Sequence, residues 1–79
     1  MGANKAEQEW AERAKRLLKA ELKRADVTYE ELASRLCAMD LEETKASIAS
    51  KLNRGAFPAT FLLASLKAIG KTTLNLEDA

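Results

Sequence analysis

Residues 27–55 constrain this chain more than any other stretch, because they spell out two helices, their caps and the break between them. Thr28 and Glu31 stand at the two ends of a T-x-x-E capping box. In such a box the hydroxyl accepts from the amide of Glu31, and the carboxylate reaches back to the amide of Thr28. Val27 and Leu32 flank it at the spacing of a hydrophobic staple, which sets the direction of entry as well as the start. Leu32, Ala33, Leu36 and Cys37 then trace the inner face of a short helix over residues 29–38, with Cys37 read as a small core residue. Met39-Asp40-Leu41 interrupts that helix without a glycine. Asp40 is the residue there that best tolerates a left-handed conformation, and it also opens a D-x-x-E capping spacing with Glu43. A second helix over residues 42–53 carries Ile48 and Leu52 inward, one turn apart, and stops at Gly55. Two short helices joined by a turn are the arrangement that puts a second helix into a groove of DNA.

Nothing covalent helps to hold such a fold here. The single cysteine excludes an internal disulfide, and with no histidine and no second cysteine a structural zinc centre is excluded too. At 79 residues the chain is near the size at which one core can only just sustain a domain. Stability must therefore come from helices packed through leucine, alanine and isoleucine. Catalysis of the common kinds needs a histidine base, an activated thiol or converging carboxylates. Glu30-Glu31 and Glu42-Glu43 diverge around their helices, so the expectation is a non-enzyme with no cofactor, no metal and no small-molecule ligand. No apolar run is long enough to span a bilayer and no targeting segment is visible, which makes the cytoplasm the expected location.

The net charge of +1 hides a strong pattern. Segments 13–25 and 44–76 each carry +5, segment 26–43 carries −5, and no acid occurs between Glu43 and Glu77. Acids first and bases last along the opening helix agree with its macrodipole. The second basic block spans two helices and a loop, which a single dipole does not explain.

Around the central pair, residues 1–5 are expected to be disordered and residues 6–76 to form one domain, with a tail at 77–79. Residues 6–25 predict a long first helix with an inward stripe of Trp10, Ala14, Leu17, Leu18, Leu22 and Ala25, Trp10 pinning it to the core. Pro58 suits the first turn of a helix over residues 59–69, with Phe61, Leu62, Leu66 and Ile69 inward and Gly70 as its stop. Leu74 and Leu76 alternate along a short extended arm over residues 71–76, packed on the domain or paired with a second copy.

The order Val27-Thr28-Tyr29-Glu30-Glu31-Leu32-Ala33, Ile48, Asn53-Arg54-Gly55, Phe57-Pro58 and Leu66-Lys67-Ala68-Ile69-Gly70 resembles lambda-repressor-like helix-turn-helix domains of the Cro/repressor, xenobiotic-response-element-like type. It resembles more closely a group of small bacterial proteins of unassigned function that share the basic first helix, the TYEELA segment and the RGAF loop. The likeness covers residues 13–76 and implies an all-α domain of four to five helices that binds double-stranded DNA as a transcription regulator, acting as a homodimer. Carried over by position, it implies that Thr44, Lys45, Ala46 and Ser50 face base edges. Tyr29, Asn53 and Arg54 would hold phosphates, with Lys51, Lys67 and Lys71 adding nonspecific attraction. The chain departs from the pattern in its turn: sixteen positions separate Leu32 from Ile48, so extra residues lie beside the helix that would read DNA. The alternative is a protein-interaction or dimerisation module on the same scaffold, without DNA reading.

Overall fold

The computed structural model describes residues 4–79. Among these residues the protein is all-helical: α1 (Lys5–Ala25), α2 (Tyr29–Cys37), α3 (Lys45–Arg54) and α4 (Ala59–Ala68) are followed by one 3-10 turn, Leu76–Asp78. Of the expected disordered segment 1–5, residues 1–3 lie outside the described residues. Asn4 and Lys5 are ordered into α1, where the Asn4 side chain accepts from the amide of Glu7 at 2.9 Å.

Capping decides where each helix stops. At the ends of α1, α2 and α4 a left-handed residue is followed by an amide that donates five residues back: Val27 to the Leu22 carbonyl past Asp26, Leu41 to Leu36 past Asp40, and Lys71 to Leu66 past Gly70. This closure satisfies carbonyls that no further helical amide reaches. Asp40, at φ 63°, takes the left-handed conformation expected of it. That same conformation removes it as an N-cap, which needs extended backbone. The third helix therefore starts at Lys45 rather than at residue 42. Thr44 at φ −128° and Ser47 cap it reciprocally, the Ser47 amide donating to Thr44 Oγ1 at 3.0 Å and the Thr44 amide to Ser47 Oγ at 2.8 Å. At Thr28 half of the expected box forms. The Glu31 amide donates to Thr28 Oγ1 at 3.1 Å, while the Glu31 carboxylate turns to Arg35 at 3.7 Å.

The core is one cluster drawn from all four helices, with Leu18, Leu32, Leu36, Ile48 and Leu52 wholly buried. α2 packs on α3 and α4, and α1 lies across α3 and α4. Three expected core residues are exposed instead. A helix rises about 1.5 Å per residue, so α1, with 21 residues, is about twice as long as α3 or α4 with 10. Its first turns overhang the domain, and Trp10 is 60% exposed with the Arg13 guanidinium 4.7 Å from its ring centre. Ala25 is exposed at the other end. Cys37 is also exposed; Leu32, Ala33 and Leu36 fill the inward arc of α2, and the thiol instead donates to the Glu43 carbonyl at 3.5 Å. Two polar residues take buried places: Glu21 on α1 and Ser65 on α4. The segment past α4 is irregular over residues 71–75, and the expected arm ends in the 3-10 turn. No described helix is long and apolar enough to cross a membrane.

Candidate nucleic-acid interface

The candidate surface is the solvent face of α3. Ile48 and Leu52 are fully buried, so the arc opposite them is turned outward. Lys45, Ala46, Ser50, Asn53 and Arg54 are exposed along that arc, Ala49 is half-buried between them, and Thr44 is exposed at its start. No acid lies on the helix. Serine and alanine keep its outer face low, which allows another molecule to approach closely.

Each end of α3 is held differently. At the C-terminal end Gly55 is left-handed at φ 66°, and a Cβ on it would stand 2.5 Å from the Ala11 carbonyl oxygen of α1. Only glycine fits both the turn and the contact. Asn53 and Arg54 are thereby carried at the seam where α3 meets the first helix.

At the N-terminal end Glu43, just before the Thr44 cap, meets Ser47 and Lys51, one turn apart on α3, and the three form a network beneath the helix. The Ser47 hydroxyl donates to Glu43 Oε1 at 2.7 Å, and the Lys51 ammonium donates to Glu43 Oε2. The same ammonium lies 4.8 Å from the Phe61 ring centre. Burial pushes the Glu43 carboxyl up, but Lys51 and Ser47 together pull harder, and the net shift is downward. The carboxylate therefore stays charged with its counter-ion beside it, and its field is largely cancelled at the outer face. Lys51, expected on the DNA side, is on the inner edge of α3.

The remaining named residues fall into two groups. Lys45 reaches Glu30 on α2 at 3.6 Å, but both side chains are more than two-thirds exposed, so this pair is weak and exchangeable. Tyr29 is half-buried as the first residue of α2 and packs against the core cluster. Lys71 is bound to the buried Glu21 at 3.1 Å, and Lys67 is exposed on α4, away from the α3 arc. The inward network was readable as an i, i+4, i+8 spacing of Glu43, Ser47 and Lys51. A lysine on a capped helix is read first as a surface charge, however. Among the described residues no three histidine, cysteine or acidic side chains converge as a metal site.

A family model described as a domain of unknown function, DUF6471, matches residues 10–74. Comparison with curated proteins and with solved structures finds no match.

Proposed function

The chain belongs to the DUF6471 family, and we propose that it is a lambda-repressor-like helix-turn-helix module, a small bacterial regulator that binds double-stranded DNA with α3 in the major groove. The observation that carries this reading is the face of α3. It is free of acid, low in profile and presented outward by Ile48 and Leu52, while the nearest carboxylate beneath it is neutralised by Lys51. A major groove about 12 Å wide admits a helix of this kind. Lys45 suits the O6 and N7 acceptors of guanine, Ala46 a thymine methyl, and Thr44 and Ser50 donors or acceptors on any base edge. Asn53 and Arg54 at the far end, and Tyr29 at the start of α2, suit phosphates on the two sides of the groove. Lys51 is assigned to positioning α3 rather than to contact.

A duplex titration followed by amide chemical shifts and fluorescence anisotropy tests the reading. Affinity is expected to fall steeply with salt, with shifts centred on residues 44–54. Arg54→Ala is expected to reduce the slope of log K against log salt by about 0.9, one phosphate contact. Absence of binding at low salt, or shifts confined to α1, would overturn it.

One observation favours the interaction-module reading instead. The turn over residues 38–44 exposes Met39 and Leu41 beside Glu42 at the entrance to α3, a rim better suited to a protein than to a polyanion. Chemical-shift changes on that rim with a protein partner, and none with duplex, would favour it.

A further inference from the structure

We infer that the surface made by α4 and the segment after it docks a second copy of this chain, each copy placing its C-terminal turn against the other's α4. Leu76 is 75% exposed and Leu63 is 62% exposed, more than any other large apolar side chain described, and the core cluster is complete without them. Leu63 lies on the wall of a groove that Leu66, Lys67, Lys71 and Leu74 continue, so α4 and residues 71–74 present an apolar channel with a basic edge. On that edge Lys71 is bound to Glu21, while Lys67 has no carboxylate within ion-pair distance among the described residues.

The turn Leu76–Asp78 has the opposite character. It is shaped by the Asn75 side chain, which accepts from the Glu77 amide at 2.9 Å, and it offers an exposed leucine followed by two acids. Groove and turn thus match, leucine to leucine and carboxylates to lysine. Within one chain this match is not made: Leu74 lines the groove while Leu76 remains 75% exposed. Because both halves are on one chain, a twofold axis lets each copy give and receive the same contact. Two exposed leucines and one lysine unpaired among the described residues are few contacts against the roughly 800 Å² per partner of a standard interface, so a weak, concentration-dependent dimer is expected.

This inference does not rest on DNA binding and is tested without nucleic acid. Sedimentation equilibrium of the full chain, from micromolar to millimolar, should show reversible monomer and dimer. Leu76→Asp and Lys67→Glu should each weaken association by about tenfold or more while leaving the circular dichroism unchanged, since both side chains are outside the core. Lys67→Glu combined with Glu77→Lys and Asp78→Lys should restore it to within about threefold. A wild-type chain that stays monomeric at millimolar concentration, a dimer indifferent to Leu76→Asp, or a charge-swapped variant that does not recover would overturn the inference.

Discussion

Replacing Lys51 by methionine separates how α3 is held from what it shows to solvent. The variant keeps an apolar stem over Phe61 and removes the charge that faces Glu43. Glu43 then retains the Ser47 hydroxyl but has lost its counter-ion at a position where its side chain is only 11% exposed. Breaking one side of a fully buried pair costs about 3–5 kcal/mol. Lys51 is itself 24% exposed, so water reaches one side of the pair and the expected loss falls to about 1–3 kcal/mol. A domain of 79 residues has a total stability of about 4–12 kcal/mol, and its melting midpoint drops about 4–8 °C for each kcal/mol lost. Glu43→Gln combined with Lys51→Met leaves no unpaired charge and should recover about half the deficit or more.

The pH dependence has a definite sign. The folded Glu43 carboxyl lies below its ordinary value of 4.5, so the stability it contributes is complete above that value and is lost as pH falls through the lower, folded one. In Lys51→Met burial acts without the opposing ammonium, and the folded value moves upward. The deficit against wild type should therefore shrink in mild acid. Thermal melts followed by far-ultraviolet circular dichroism, near neutrality and in mild acid, measure both effects. An equal deficit at the two pH values, or a double variant as unstable as the sum of the singles, would refute the coupled pair.

The other expectations concern single positions. Gly55→Ala should destabilise by about 2–4 kcal/mol, because left-handed backbone costs about 1–2 kcal/mol with a side chain and the new Cβ collides with the Ala11 carbonyl. Gly70→Ala has the same backbone sign and open space around it, so it should lose only the first part. Comparing their melting midpoints isolates the collision, and equal losses would deny it. Ser65→Ala should stabilise by about 1 kcal/mol, since the buried Ser65 hydroxyl has no hydrogen-bond partner among the described residues; urea titration reads this, and a loss would show that the hydroxyl is satisfied. The hydrogen bond from Lys71 lowers the Glu21 carboxyl most, against burial, with Arg24 adding to it. Its contribution is thus present above the ordinary value of 4.5 and lost as pH falls through the lower folded one. Glu21→Gln should accelerate exchange of the Lys71 amide, which donates to the Leu66 carbonyl, near neutrality, with the difference from wild type shrinking in acid, and protection unchanged at every pH would refute the tie.

Amino-acid sequence alone determined the features that a few neighbouring residues settle between themselves. The start at Thr28, the left-handed Asp40, the stop at Gly55 and the inward pair Ile48 and Leu52 depend on hydrogen bonds and spacings within one or two helical turns. The outward set on α3 followed from that pair, because a face is known once its opposite is. Tertiary structure decided whatever required knowing what lies across the core. The lengths of the neighbouring helices left Trp10 beyond the edge of the domain. Lys71 looks like Lys45 in sequence, yet the carboxylate it meets, Glu21 from the first helix, is buried, whereas the Glu30 that Lys45 reaches is exposed. A charge is assigned to solvent or to a partner by distances between elements, and those distances exist only once the helices have packed.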